Sequence, residues 1–222
     1  MIERIRAPNP GPLTLSGTNT YVVDGWVVDP GPAIESHLSA VAAAVGSPAG
    51  IVVTHDHADH SEGAAALAAR LGVSVAGGLR DGDAVGPFSV LHVPGHADEH
   101  LVFVAGRAAF TGDAVLGEGS VFVSGHLREY LAGLRRLREL DLEVIYPGHG
   151  DEVRDPAAKL DEYVAHRVER ERKLLAAWDA GVRDEDGLLD AAWDDAPAAV
   201  RGFAAITLRA HLEKLREEGR LG

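Results

Sequence analysis

The sequence predicts an α/β fold followed by a small helical C-terminal unit. Three observations carry that reading. Apolar strand-like runs alternate with Ala- and Leu-rich helical stretches through residue 155. Some neighbouring strands are joined by hairpin signals, so the sheets are not purely parallel. Beyond Asp155-Pro156 strand signal all but vanishes. The expected division is therefore an α/β domain over 1–155 and a helical domain over 156–222. With 222 residues, 46% of them hydrophobic, the chain can bury one sizeable core and a small appended one.

The elements follow in order. Thr20 to Val23 and Trp26 to Asp29 are short β-branched runs joined by Asp24-Gly25, a two-residue turn signal. Ile34 to Val45 reads as a helix and Ile51 to Thr54 as a buried strand. Ala58 to Leu71 reads as one helix ended by Gly72. Val73 to Val75, Ser89 to Val93, Leu101 to Val104 and Ala108 to Thr111 supply further strands. Leu127 to Leu140 is helical, and Leu142 to Tyr146 is a strand. Pro156 suits a first helical turn, and the charge-balanced helix it opens extends to about Trp178. A short helix near Leu188 to Trp193, a break at Ala196-Pro197 and an amphipathic helix through Leu208, Leu212 and Leu215 complete the chain.

Composition excludes several chemistries. Cysteine is absent, which removes disulfides, thiolate metal ligands and cysteine nucleophiles and points to the cytoplasm. No apolar run reaches the roughly 18 residues of a membrane span, so no membrane partner is expected. The net charge is −13, which disfavours non-specific binding of polyanions unless a local basic groove exists.

Eleven histidines remain, and their placement is specific. The strand Ile51 to Thr54 runs into His55-Asp56-His57-Ala58-Asp59-His60. Two histidines two apart on an extended turn point the same way, and Asp59 and His60 face a second point nearby. His96 after Val93-Pro94-Gly95, Asp113 after Thr111-Gly112, and His149 after Pro147-Gly148 also follow apolar strands. A lone histidine after a strand is ordinarily a hydrogen-bonded loop residue. All seven in this order form a nitrogen and oxygen donor set able to hold two divalent cations, zinc foremost, with manganese or iron open.

These motifs resemble those of the metallo-β-lactamase-fold superfamily, over nearly the whole chain. The resemblance implies a four-layer αββα sandwich with the site at one edge. It also implies that His55, His57 and His96 hold one metal, that Asp59, His60 and His149 hold the other, and that Asp113 bridges them. Asp59 and Asp113 are the expected catalytic residues, and the implied mechanism is hydrolysis by a metal-bridging hydroxide. Asn9-Pro10-Gly11-Pro12, Gly17 to Tyr21, Pro94 to His100, Asp155 to Lys159, Tyr163 to Arg167 and Ala210 to Leu215 resemble the lactamase-B-like branch. The animal mitochondrial member of that branch cleaves single-stranded RNA, and its last helices form a winged-helix-like domain.

Single-stranded RNA is thus the first expected substrate. Arg128, Arg135, Arg136 and Arg138 on one helix, with Arg201, Arg209, Arg216 and Arg220 near the C-terminus, would supply local positive charge. A small acyl thioester, as in glyoxalase II, is the alternative, and the C-terminal helices as a docking module are a third. His100 and His126 are weaker candidates for substrate contact; support behind the ligands is the simpler expectation for His100, and a loop position for His126. His166-Arg167 could reach a phosphate, although a solvated helix face is the simpler expectation. A homodimer is a further possibility.

Overall fold

The computed structural model describes residues 2–221. The first sheet has the order β1 (Ile2–Arg6), β2 (Asn19–Val23), β3 (Trp26–Val28) and β4 (Gly50–Val52). Its strands pair antiparallel except for the parallel β3/β4 pair. The second has the order β5 (Ala84–Val85), β6 (Phe88–His92), β7 (Leu101–Ala105), β8 (Ala108–Gly112) and β9 (Val144–Pro147), with β8/β9 parallel.

Alternation along the strands produces four layers. Tyr21, Val23, Val28 and Val52 of the first sheet pack on Phe88, Val90, Phe103 and Phe110 of the second. The opposite face of the first sheet, with Val22, Val27 and Ile51, buries Leu38 and Val41 of α1 (Glu35–Ala44) and Leu67 of α3 (Ala64–Leu71). The outer face of the second sheet, with Leu91, Val102, Ala109 and Ile145, buries Leu127, Leu134 and Leu137 of α4 (Leu127–Glu139). This is the expected αββα order.

A separate apolar cluster joins α5 (Pro156–Asp179), α6 (Glu185–Ala192) and α7 (Arg201–Glu217) through Leu174, Leu188, Leu189, Leu208, Leu212 and Leu215. The helix α5 spans both cores, since its Leu160 and Tyr163 belong to the sandwich. Asp155 caps it by accepting from the Ala158 N–H at 3.0 Å, and Pro156 occupies the first turn.

Four expectations change. The stretch 58–71 is two helices, α2 (Ala58–Ser61) and α3, broken at Glu62-Gly63. Gly63 lies against the Gly31 carbonyl, to which its N–H donates at 2.9 Å, and a β-carbon there would sit 2.7 Å from Leu38 Cδ2. Val73 to Val75 makes only a single bridge, Ile51 to Val75. β1 and β5 are additional strands. Among the described residues no named strand follows β9, so the helical C-terminal region carries no wing. No described helix is long and apolar enough to cross a membrane.

Candidate metal centre

The site forms where β4, β8 and β9 end, at one edge between the sheets. The segment after β4 supplies His55 and His57, and α2 supplies Asp59 and His60. Asp113 follows β8, and His149 follows β9. Two glycines make this convergence possible. Gly112 has φ +48°, and a β-carbon there would lie 2.4 Å from Thr54 Oγ1. A β-carbon on Gly148 would lie 2.5 Å from His60 Cε1 and 2.7 Å from Asp113 Oδ1. Gly148→Ala is therefore expected to lower metal content and to cost about 1–3 kcal/mol of stability from overpacking. Metal analysis and urea unfolding check both.

All seven predicted side chains come together. His57 Nδ1 lies 3.0 Å from both His55 Nε2 and His96 Nε2. His60 Nε2 lies 3.2 Å from His149 Nε2, and Asp59 Oδ2 lies 3.2 Å from that same His149 nitrogen. Asp113 stands between the groups, with Oδ2 3.4 Å from His96 Nε2 and Oδ1 3.4 Å from both His60 and His149 Nε2. Three sets of ligand atoms, His55/His57/His96, His55/His60/Asp113 and Asp59/His60/His149, are each close enough to hold one ion.

The surrounding hydrogen bonds fix which nitrogens face inward. Thr54 Oγ1 donates to Asp29 Oδ2 at 2.8 Å, so it accepts from His55 Nδ1–H at 3.0 Å. His60 Nδ1–H donates to Asp29 Oδ2 at 2.9 Å, His96 Nδ1–H to the Phe122 carbonyl at 3.3 Å, and His149 Nδ1–H to the Gly17 carbonyl at 3.4 Å. In neutral rings the Nε2 atoms of His55, His60, His96 and His149 then present lone pairs to the centre, where a cation can accept them. Titration reflects the same demand. Burial opposes charge on His149, but Asp113 and Asp59 push it up to about 9. Burial would raise Asp113, yet His60 and His149 hold it well below the usual carboxylate range. His55 is pushed down by burial and by the neighbouring histidines. The donor set thus fits divalent cations of the zinc, manganese or iron kind.

Asp29 escaped the sequence reading. It is buried at the end of β3 with φ +52°, and it accepts from Thr54 N–H and O–H and from His60. An aspartate closing the apolar run Val27-Val28 before Pro30-Gly31 was the available signal. Thr18, also buried, donates to Asp59 Oδ2 at 3.3 Å and is itself held by Asn9.

Neither of the two weaker candidates is among the residues that line the cleft. His100 is fully buried and stacks on His55, and its Nε2 accepts the Asp113 N–H at 3.2 Å. It packs behind the ligands His55 and Asp113. His126 starts α4 with its ring half exposed, 3.6 Å from Asp98, and does not line the cleft.

The described geometry has counterparts in known proteins. Residues 75–149 match the model of the metallo-β-lactamase superfamily. A beta-lactamase-like protein 2 homolog from Caenorhabditis elegans is 31% identical over 98% of this chain and 85% of its own length. The chain belongs to the metallo-β-lactamase superfamily. It is accordingly a metal-dependent hydrolase. An atrochrysone carboxyl ACP thioesterase from a Cryptosporiopsis species is 30% identical over 79% of this chain and 62% of its own length. A metallo-β-lactamase family protein from Thermus thermophilus superposes over 100% of this chain and 95% of its own, with a TM-score of 0.78 and 26% identity.

Proposed function

We propose that this chain hydrolyses acyl thioesters whose acyl part is apolar, and that His55, His57, His96, Asp59, His60, His149 and Asp113 would hold two divalent ions. The observation that carries the substrate reading is the wall of the cleft. A cavity of about 820 Å³ opens on His57, Asp59, His96, Asp113 and His149. From there it follows an apolar track: the Phe122 ring lies 4.7 Å from the His96 ring and stacks at 5.2 Å on Phe203 of α7. Leu13, Leu116 and Val200 continue the lining. Such walls favour an acyl chain at about 0.8 kcal/mol per buried methylene. The thioesterase name of one relative agrees with this reading.

Bound divalent ions would supply Lewis-acid polarisation of the thioester carbonyl and a water acidified to a pKa of about 7. The chain's residues do the rest. Asp59, its carboxyl 29% exposed and anchored by Thr18, faces the cleft and orients the attacking water. Asp113 sets the spacing between the two halves of the ligand set. Phe122 and Phe203 cover the acyl chain and keep bulk water away. Water adds to the acyl carbon, the C–S bond breaks, and acid and thiol leave.

RNA cleavage has weaker support. Arg128 pairs with Glu217 at 2.7 Å, Arg136 with Asp81 at 3.0 Å, Arg138 with Asp161 at 3.0 Å, Arg201 with Asp190 at 2.6 Å and Arg209 with Glu185 at 2.7 Å. Arg220 pairs with Glu171. Six of the eight arginines that would offer phosphate contacts are thus paired with carboxylates, while Arg135 and Arg216 form no ion pair among the described residues. A docking role for the C-terminal helices also has less support, since Phe203, Ala204 and Thr207 of α7 line the cleft itself.

The test is a chain-length series. For metal-loaded protein, kcat/KM is expected to climb from acetyl to octanoyl thioesters by up to about fourfold per methylene. Phe203→Ala should flatten that rise. A flat series in the wild-type protein contradicts the reading.

A further inference from the structure

We propose that the same cleft carries an anion subsite built on Arg167, which takes a carboxylate or phosphate group of the substrate. The identity of that substrate rests on the thioester reading, whereas the subsite rests on its own observations. A charge-balanced helix predicts solvated side chains at 166 and 167, but Arg167 is 2% exposed and lines the cleft. Its Nη2 donates to the Val121 carbonyl and, at 3.2 Å, to Ser120 Oγ, both uncharged. Its Nε is buried with no hydrogen-bond partner, and the guanidinium lies 5.9 Å from the Tyr130 ring centre. Among the described residues no carboxylate forms an ion pair with it.

Neighbouring cations differ. Arg170 is bound to both oxygens of Asp195 at 2.6 and 2.9 Å, and Lys214 pairs with Glu171 at 2.7 Å. A buried guanidinium keeps its charge, and leaving it without a counter-ion is unfavourable. In a chain of net charge −13, that makes Arg167 a place prepared for an incoming anion.

The surroundings add a donor. His166 Nε2 accepts from Arg170 Nε at 3.1 Å, so its hydrogen sits on Nδ1, 3.4 Å from Ser120 Oγ. Ser120 Oγ therefore receives from both His166 and Arg167, which leaves its own hydrogen free to donate to a ligand. Burial, then Arg167 and Arg170, lower His166 to about 4, against the opposing pull of Asp195 and Glu162. Val121 precedes Phe122, whose ring touches His96, so the subsite adjoins the apolar track. The anion could be carried at the end of the acyl chain or on the thiol carrier.

Three thioesters separate these sources: octanoyl- and suberoyl-N-acetylcysteamine, which differ in a terminal carboxylate, and octanoyl-phosphopantetheine, which adds a phosphate. In metal-loaded protein at least one anionic substrate is expected to exceed the neutral one about tenfold in kcat/KM. Arg167→Gln should cut that ratio at least fivefold, with Arg167→Lys retaining part of it. A merely structural role would lower all three substrates together and leave the ratio unchanged, which overturns the subsite. So does a wild-type ratio near one, which decides the matter even if Arg167→Gln fails to fold. Calorimetric titration with suberate and inorganic phosphate makes the result independent of turnover. Binding weakened about tenfold in Arg167→Gln, with no thioester hydrolysed, upholds the subsite and removes the thioester reading. Equal binding in both proteins overturns the subsite and leaves that reading standing.

Discussion

Asp113→Ala is expected to remain folded, to hold at most one metal ion, and to lose well over about 10²-fold in kcat/KM. The scale follows from supporting residues, whose loss typically costs 10–100-fold in metal affinity or activity. Asp113 does more than support. One of its oxygens faces His96 and the other faces His60 and His149, so it is the carboxylate that spans the two halves of the centre. Its removal leaves His96 with no carboxylate partner among the described residues, and leaves His60 and His149 only Asp29 and Asp59. Asp113→Asn keeps the volume and hydrogen-bonding shape, and the loss should persist because the missing property is charge. Metal content by mass spectrometry and thioester kinetics on the same samples check this. Wild-type metal content in Asp113→Ala would count against the bridging role.

The second large effect is expected at Asp29, which lies outside the ligand set. Asp29→Ala strips partners from three buried donors: Thr54 N–H at 2.7 Å, Thr54 O–H at 2.8 Å and His60 Nδ1–H at 2.9 Å. Each orphaned donor costs about 1–3 kcal/mol, so roughly 3 kcal/mol or more of stability should be lost from metal-free protein in urea unfolding. Alanine is also strained at φ +52°, a conformation aspartate tolerates better. Metal affinity should fall 10–100-fold, because His60 and, through Thr54, His55 lose the acceptors that orient their inward nitrogens. Asp29→Asn should recover only part of this. It keeps one acceptor for Thr54 N–H but turns an amide toward two donors. An unchanged metal affinity in Asp29→Ala would remove the orienting role.

Much of this arrangement was legible in the sequence, for a physical reason. Each segment that carries site residues follows an apolar run, and the layered architecture brings such strand ends to one edge. Asp113 and His149 are 36 positions apart in the chain, yet β8 and β9 are neighbours in one sheet. What the sequence concealed depends on contacts between distant segments. The break at Gly63 exists because Gly31 and Leu38 press on it, and nothing in the Ala-rich run from 58 to 71 signals that. β1 was missed because Glu3, Arg4 and Arg6 interrupt its apolar pattern at the sheet edge, where Arg4 and Arg6 reach Asp151. The cleft wall combines Leu13, Phe122 and Phe203, which no local pattern unites. Arg167 looked solvated on a charge-balanced helix, and only its packing beside Tyr130 and Val121 buries it. The basic stripe on α4 was visible, but the carboxylates that pair with its Arg128, Arg136 and Arg138 come from residues 217, 81 and 161.

The most direct test places the two substrate classes side by side. Metal-loaded wild-type protein and Asp113→Ala would each be given octanoyl-N-acetylcysteamine and an end-labelled single-stranded RNA, with and without chelator. The account predicts thiol release that disappears on chelation and in Asp113→Ala, with the RNA left intact. RNA cleavage that depends on Asp113 and on metal, with no thiol released, would contradict it.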